Sequence, residues 1–223
     1  MDGRIDSDVA PVAPPSRQRR WRTPQQRAIA TREGIASAAA EHFNTVGYGA
    51  ASINEILAGT GSSKGAMYHH FPSKKALAQY LVHLWSTVLV DTLARVTSTG
   101  EPAVRQVASI QRRLATVVAQ NHIARAGLLL SLEQAVDEHA KIYTAWTSAV
   151  TVIVDQAIRT GQLDRTAAQS RLGESLCAGF VGAVHVATSL GEPDTISRRV
   201  DDLLALWLGG NPTTVAEASG EAP

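Results

Sequence analysis

Long runs of apolar residues at helical spacing, separated by proline and glycine, make up most of the chain. The prolines stand at positions 11, 14, 15, 24, 72, 102, 193, 212 and 223. Each one removes a backbone donor and disfavours helix at the residue before it. The spans between them are rich in alanine, leucine, arginine and glutamine rather than in alternating β-branched residues, so the pattern predicts an all-α fold.

The first predicted helix runs from Pro24 to Val46 and ends at Gly47, and its apolar stripe consists of Ile29, Ala36, Ala39, Ala40 and Phe43. Two short helices are predicted at 52–58 and 63–70, followed by a long one at 73–97. Beyond Pro102, helices are predicted at 103–121, 124–136, 139–160, 166–190 and 194–208. The termini, 1–22 and 211–223, are rich in Pro, Ser, Gly and charge, and we expect them to be disordered.

The two short helices carry signals at their ends. Ser52 and Glu55 have the spacing of a capping box, and Ser62 or Ser63 is suited to cap the second helix. A tight turn between the helices is predicted from Gly59 and Gly61. The apolar positions are spaced to share one contact with the first helix: Ile53, Ile56, Leu57 and Met67. The segment SINEILAGTGSSKGAMYHH therefore predicts a helix-turn-helix, whose second helix enters the DNA major groove.

The residue types on the second short helix suit contacts with DNA. Lys64 offers a cation, Gly65 allows close backbone approach, and Tyr68 offers a donor at phosphate distance. The next helix begins with free amides that suit a phosphate. The candidate DNA contacts are Ser52, Asn54, Ser63, Lys64, Gly65, Tyr68, His69, His70 and Lys74. Helix pairs joined by glycine also occur in proteins that do not bind DNA, and Tyr68 and Phe71 are also typical core aromatics.

The charge distribution supports a polyanionic partner although the net charge is only +1. Residues 17–75 carry nine basic and three acidic side chains, whereas residues 76–223 carry eleven basic and fourteen acidic ones. Residues 17–32 hold six arginines and no acidic residue. A short arginine run is also typical of a solvated tail, but here it directly precedes the predicted helix-turn-helix.

Composition argues against several other classes of protein. The single cysteine, Cys177, excludes an internal disulfide framework and lies in an apolar segment as a small filler. No apolar run reaches the roughly 18 residues of a membrane helix, and no signal peptide is recognisable, so we expect a cytoplasmic protein. An enzyme is the alternative from another class, but the seven histidines show no metal-ligand spacing such as HExxH. We expect no metal, no cofactor and no catalytic site.

Residues of about 25–82 carry a dense set of matching motifs, HFNTVGYGAASINEIL, GTGSSKGAMYHHFPSK and KKALAQYLV. The chain resembles the TetR family of bacterial one-component regulators over this stretch. The resemblance implies a three-helix DNA-binding domain at residues 23–72 and a larger helical bundle at 73–210, which binds a ligand and dimerises. It also implies a repressor that binds a palindromic operator as a homodimer.

Within that family, SSKGAMYHHFPSKKALA and GLLLSLEQAVDEHAKIYTAW are similar to the γ-butyrolactone autoregulator receptors of actinomycetes. This resemblance implies an aromatic pocket residue at Trp146 and release from DNA by a small amphipathic lactone. The alternative within the family is a repressor of an efflux or metabolic gene that senses another apolar ligand. The predicted pocket residues interrupt apolar helices, although each is also typical of a core: Trp85, Ser131, Tyr143, Trp146, Cys177 and His185.

A dimer is required to place two recognition helices one DNA turn apart, about 34 to 36 Å. We expect the last two helices to form the interface through the stripe Leu172, Leu176, Phe180 and Val184, the small residues Ala178, Gly179, Gly182 and Ala183, and the stripe Ile196, Val200, Leu203, Leu204 and Trp207. These stripes are also typical of a monomer core. We expect a ligand to splay the two recognition helices, with the long fourth helix as the lever.

Overall fold

The computed structural model describes residues 23–137, 139–164 and 171–208. These residues form α1 Pro24–Ala50, α2 Ile53–Ala58, α3 Lys64–His70, α4 Lys74–Thr97, α5 Ala103–Gln120, α6 His122–Leu130, α7 His139–Arg159, α8 Leu172–Ser189 and α9 Ile196–Leu208, with a 3₁₀ turn at Pro193–Thr195. No strand occurs among them, which confirms the all-α fold class. The predicted disordered tails and residues 166–170 of the predicted eighth helix lie outside the described residues.

Helix α1 begins with a complete capping box. The amide of Gln26 donates to Thr23 Oγ1 at 3.2 Å, and the amide of Thr23 donates to Gln26 Oε1 at 3.0 Å. Gly47 has φ 79° and interrupts the helix where the sequence predicts its end. The predicted stripe is wrong at Ile29, which is 49% exposed. All residues from 23 to 29 are exposed, because the first turns of α1 project beyond the core.

Helix α6 begins earlier and ends earlier than the predicted helix at 124–136. The side chain of Asn121 accepts hydrogen bonds from the amides of Ile123 and Ala124, which fixes the start at His122. After Leu130 the chain continues in turns rather than helix up to residue 137. The Asn121 cap is the signal that the sequence interpretation missed.

Two apolar clusters share helices α4 and α6. The N-terminal cluster joins α1, α2 and α3 to Leu77 and Leu81 of α4 and to Ala126 of α6. The C-terminal cluster is built from α4 to α9 and contains Trp85 of α4 and Leu128 of α6. Each of the two shared helices therefore contributes one face to the DNA-binding end and another to the larger bundle.

The predicted dimer stripes on α8 and α9 are wrong for their main residues. Those that are buried within the single chain are Leu172, Leu176, Phe180, Val184, Ile196, Val200 and Leu204. They face the core, because α8 packs on α7 and α9 packs on α5 to close the monomer core. Ala178 and Gly182 lie on the exposed side of α8, and Leu206 of α9 is 76% exposed. The apolar surface that α8 and α9 leave for a partner is therefore this opposite side.

Candidate DNA-binding surface and effector core

The predicted helix-turn-helix is formed by α2 and α3. Met67 of α3 and Ile56 and Leu57 of α2 are buried against α1 in one cluster, as the sequence predicts. Ser63 caps α3 by accepting a hydrogen bond from the amide of Ala66 at 3.1 Å. Gly61, with φ 65°, supplies the left-handed turn between the helices. Burial of one side of α3 leaves its opposite side exposed.

The exposed side of α3 carries the predicted contact residues. Lys64, Gly65 and His69 are exposed, and Tyr68 is 51% exposed. Positions 64, 65, 68 and 69 lie on one face of a helix, since residues four apart are neighbours. Phe71 is buried with 2% exposure. Phe71 is therefore a core aromatic, whereas Tyr68 is not. The Tyr68 ring is exposed on the outer face of α3.

No contact within the chain requires a glycine at position 65. A Cβ placed there meets the Ser63 hydroxyl oxygen at 3.7 Å, an ordinary contact, and no other neighbour within 4 Å. Glycine in a helix costs about 0.5–1 kcal/mol relative to alanine. The space that this glycine keeps open lies on the outer face of α3, where a nucleic acid backbone would approach.

The predicted capping box at α2 is formed only in its first half. The amide of Glu55 donates to Ser52 Oγ at 3.2 Å, but the hydroxyl of Ser52 donates to the Glu55 carboxylate at 2.6 Å. His42 Nε2 lies 3.4 Å from the same carboxylate. The Ser52 hydroxyl and then His42 lower the pKa of Glu55. The reciprocal bond to the Ser52 amide is the part of the prediction that is wrong, because the carboxylate turns to the hydroxyl instead. Asn54 beside it is exposed.

Lys74, which the sequence predicts to contact DNA, is bonded within the chain. Its ammonium group donates to the backbone oxygens of Tyr48 and Ala51, each at 2.8 Å, and lies 4.6 Å from the Tyr48 ring centroid. These bonds join the start of α4 to the end of α1. Ser73 caps α4 by accepting from the amide of Ala76 at 3.0 Å, as its position predicts.

Arg32 also makes contacts within the DNA-binding domain. Its guanidinium lies 4.3 Å from the Tyr80 ring centroid and 5.5 Å from that of Phe71. It therefore joins α1 to α4 rather than extending the arginine run toward DNA. The run of arginines at positions 17, 19, 20 and 22 lies outside the described residues.

Three of the predicted pocket residues form one aromatic cluster in the C-terminal bundle. The ring of Trp146 packs edge to face on Trp85 at 6.3 Å, on Tyr143 at 6.2 Å and on Phe180 at 5.3 Å between centroids. Trp85 and Trp146 are fully buried and Tyr143 is half-buried. We call these four residues the aromatic cluster. It joins α4, α7 and α8 at the centre of the bundle.

Unpartnered polar atoms lie beside the aromatic cluster. Both amide atoms of Gln111, the hydroxyl of Thr147 and the indole nitrogen of Trp146 are buried without a hydrogen-bond partner in the described part of the chain. Burial raises the pKa of the Cys177 thiol to about 12. The Thr147 and Gln111 side chains beside its sulfur lower that pKa by a smaller amount, although their geometry falls short of a full hydrogen bond. Such orphaned groups are rare in protein cores and cost about 1–3 kcal/mol each. A polar ligand inserted here would satisfy them.

Gln111 and Thr147 are the residues that the sequence interpretation missed. A glutamine in α5 is an ordinary helix former, and nothing in the pattern marks it as buried. Burial also raises the pKa of Tyr143, and the nearby Cys177 contributes to the same shift. Tyr143, Thr147 and Cys177 thus belong to one polar edge of the aromatic cluster.

Ser131 and His185 are not brought into this arrangement. Ser131 is buried at the end of α6, and its hydroxyl donates to the Leu128 carbonyl of its own helix at 2.6 Å. His185 is exposed on α8 and lines an open groove of about 640 Å³ together with residues of α1 and α6. The geometry thus separates these two residues from the aromatic cluster.

No cluster of three or more His, Cys, Asp or Glu side chains in the part of the chain that the structure describes is arranged to hold a metal ion. None of the helices described is both long and apolar enough to cross a bilayer.

An all-α chain whose helix-turn-helix exposes its second helix has the architecture of a DNA-binding protein. Residues 35–81 match the model of the bacterial regulatory proteins of the tetR family. The chain belongs to this family, whose members are transcriptional regulators rather than enzymes.

The similar proteins include receptors of that family. The A-factor receptor protein of Streptomyces griseus is 37% identical over 110 residues, 49% of this chain and 37% of that protein. The chain thus aligns with little more than a third of this curated relative. A structure solved to explain the control of antibiotic production by bacterial hormones is 30% identical, with a TM-score of 0.62 over 80% of this chain and 96% of the other.

Two further structures extend the likeness of fold. A γ-butyrolactone receptor is 24% identical and has a TM-score of 0.73, with 87% of this chain and 95% of that chain covered. CprB of Streptomyces coelicolor, solved in complex with its operator, is 25% identical and has a TM-score of 0.71 over the same shares.

Proposed function

We propose that this chain is a ligand-responsive repressor that binds a palindromic operator as a homodimer and is released by a small amphipathic effector. The observation that carries the proposal is the exposed face of α3, where Lys64 and Tyr68 flank a glycine that the protein itself does not need. A cation, a hydroxyl and an open backbone on one helical face are the groups that bind phosphates and base edges.

The DNA contacts are proposed for the exposed residues of α2 and α3. Lys64 and Gly65 enter the major groove, while Tyr68, His69 and His70 bind the phosphates beside it. Ser63 and Asn54 stand at the starts of the two short helices, where free amides favour an anion. Ser52 contributes once its hydroxyl leaves the Glu55 carboxylate. Lys74 supports this surface indirectly, through α1.

The dimer is proposed to form through the outer sides of α8 and α9. Gly179, Gly182 and Ala183 line a shallow groove beside Val186 and Leu206. Small residues allow two helices to approach closely, and an exposed leucine of one protomer fills such a groove on its partner. A chain with this much exposed apolar surface is expected to bury it against a second copy.

The effector is proposed to bind at the aromatic cluster. Trp146 and Trp85 supply apolar area, while Gln111, Thr147 and the Trp146 indole supply donors and acceptors for a carbonyl and a hydroxyl. A γ-butyrolactone with an alkyl side chain has these groups, and two of the similar proteins bear receptor names of that class. Another apolar ligand with a carbonyl remains the alternative occupant.

Release from the operator is proposed to follow from displacement of helices around a closed core. Trp146 is buried at 1% exposure, so an effector enters only by moving the helices that carry the cluster. The effector then favours a dimer whose recognition helices are wrongly spaced. Effective release requires a preference of several kcal/mol for that state, since a shift from 1:99 to 99:1 needs about 5.5 kcal/mol.

The remaining assignments are also proposals. We place the DNA-binding domain at residues 23–72 and the effector and dimer domain at 73–210, with disordered ends at 1–22 and 211–223. A regulator of cytoplasmic location fits the helices described, none of which could span a membrane.

Binding of the purified chain to the intergenic DNA upstream of its own gene tests the proposal. Neutralisation of phosphates by basic residues predicts that the affinity falls steeply with salt, with a log–log slope of about −0.9 for each contact. Affinity that is independent of salt, or absent for this DNA and for a random-sequence pool after selection, would contradict a DNA-binding function.

A further inference from the structure

The first residue of α6 is bonded to α1 at two points. Ser37 Oγ and His122 Nε2 share a hydrogen bond at 3.0 Å, and Asn44 Nδ2 donates to the His122 backbone oxygen at 2.8 Å. Ser37 and Asn44 are seven residues apart, so they lie two turns apart on one face of α1. We call these three residues the His122 clasp.

The middle of α6 is pressed against α4 without spare room. A Cβ at Gly127 would lie 2.4 Å from the Leu81 backbone oxygen and 2.7 Å from Trp85 Cβ. Trp85 belongs to the aromatic cluster. Any movement of α4 at Trp85 therefore pushes on α6 at Gly127, because no gap between the two helices absorbs it.

The distance between these two contacts along α6 is short. Gly127 lies five residues after His122, or about 7.5 Å along the helix axis. A single helix of nine residues moves as a rigid body over that length. The middle of α6 thus touches the proposed effector core, and its first residue is bonded to the DNA-binding domain.

We infer that the His122 clasp is the coupling element of this regulator, which converts a displacement of α6 at the aromatic cluster into a displacement of α1. This inference rests on the proposed function, since it concerns how the effector core acts on DNA binding. His122 is a positioning residue that contacts neither DNA nor effector.

The clasp is suited to transmit a movement because its bonds are directional. Apolar contacts between α1 and α6 can slide without losing all their area, whereas a hydrogen bond weakens steeply once its geometry changes. The Oδ1 atom of Asn44 is buried without a partner, so this amide is held by its bond to the His122 oxygen. If α6 moves and α1 does not follow, both groups lose their partners in a partly buried place.

A mutant cycle without effector tests the inference. Gly127→Ala forces α6 away from α4 and is expected to lower operator affinity about tenfold, within the range for coupled sites. Ser37→Ala with Asn44→Ala removes the clasp and is expected to leave affinity within about threefold of the wild-type value. In the combined variant, the effect of Gly127→Ala is expected to shrink to about threefold or less. Equal effects with and without the clasp would overturn the inference.

Gly173→Ala is the matched control. A Cβ there would lie 2.4 Å from Thr151 Oγ1, so the steric overlap is as large as that at Gly127. This overlap, however, separates α8 from α7. Its effect on operator affinity is expected to be the same with and without the clasp. If the effect of Gly173→Ala depended on the clasp, the clasp would respond to any destabilisation of the bundle. It would then not be a specific coupling element.

Amide hydrogen exchange gives a readout that needs no DNA. Gly127→Ala is expected to speed exchange in residues 35–46 of α1 when the clasp is intact and to have little effect there when it is absent. If Gly127→Ala does not fold, Ala124→Val supplies a milder displacement of α6 from the side of the C-terminal cluster, with the same expectation. His122→Gln, which retains a donor and an acceptor, is expected to restore more of the coupling than His122→Ala.

The two proposals fail in different ways in these experiments. A wild-type chain that binds no operator contradicts the proposed function, and additive effects in both operator affinity and exchange contradict the clasp.

Discussion

The indole ring of Trp85 on α4 meets that of Trp146 on α7 edge to face, with 6.3 Å between the ring centroids. Both rings are fully buried, and Trp85 also touches the α6 backbone region at Gly127. The pair thus connects α7, which carries Thr147, to α6, whose first residue is bonded to α1. An occupant that separates the rings must move α4, α7 or both.

Trp146 is the first residue to test. Trp146→Phe is expected to keep the fold and operator binding but to lose release by a synthetic γ-butyrolactone with an alkyl side chain. Trp146→Ala is expected to cost about 3–5 kcal/mol of unfolding free energy in addition, because a cavity remains. Urea unfolding and a mobility-shift titration separate these effects. If Trp146→Phe responds to the lactone as the wild-type chain does, Trp146 is a core residue only.

Gln111→Leu is expected to change stability and response in opposite directions. The substitution removes two buried amide atoms that have no partner, so the free energy of unfolding rises by about 1–3 kcal/mol. It also removes the proposed polar contact to the effector, so effector affinity falls. Urea unfolding measures the first effect and tryptophan fluorescence titration the second. A stabilised variant with unchanged lactone affinity would show that Gln111 does not bind the effector.

Gly65→Ala tests the DNA-facing surface by the same reasoning. Alanine fits at this position without internal contact closer than 3.7 Å and favours helix, so stability is expected to rise by about 0.5–1 kcal/mol. The added methyl group lies on the face that approaches DNA, so operator affinity is expected to fall. Thermal unfolding and operator titration on the same sample decide this. An unchanged operator affinity would contradict the proposal that α3 lies in the major groove.

Lys64 and Lys74 provide a paired test of phosphate contact. Lys64→Met is expected to reduce the magnitude of the salt slope of operator binding by about 1 and to leave stability unchanged. Lys74→Met is expected to leave the slope unchanged but to lower stability by about 1–3 kcal/mol, because the carbonyl oxygens of Tyr48 and Ala51 lose their donor. A reduced slope in Lys74→Met would restore the direct DNA contact that the sequence predicts.

The local signals in the sequence were sufficient for the helix-turn-helix. Ser52, Ser63 and Ser73 each cap the helix that their position predicts, and Gly47 ends the first helix, because caps and turns depend on neighbours in the chain. Trp85, Tyr143 and Trp146, three of the six predicted pocket residues, lie together in one cluster. Large aromatic side chains on the inner faces of long helices are usually buried in the core that these helices share.

Contacts between residues that are distant in the sequence could not be predicted from such local signals. The role of Lys74 depends on where the end of α1 lies, and the isolation of Gln111 depends on what α7 and α8 bring beside it. The dimer stripe failed for another reason. Helix α8 is apolar on nearly all sides, so a spacing of four residues selects the core face and the outer face equally well.

The outer face of α8 and α9 gives the last prediction. Leu206→Glu is expected to shift the protein from dimer to monomer and to weaken operator binding by more than about tenfold, since one half-site alone supplies too few contacts. Val152→Glu is the matched control, because Val152 is 62% exposed on α7, outside this surface. Sedimentation velocity at micromolar concentration measures both variants. The unfolding of each chain at low concentration is expected to change little, because neither side chain belongs to the monomer core. A Leu206→Glu chain that remains dimeric, or a wild-type chain that sediments as a monomer, would place the dimer interface elsewhere.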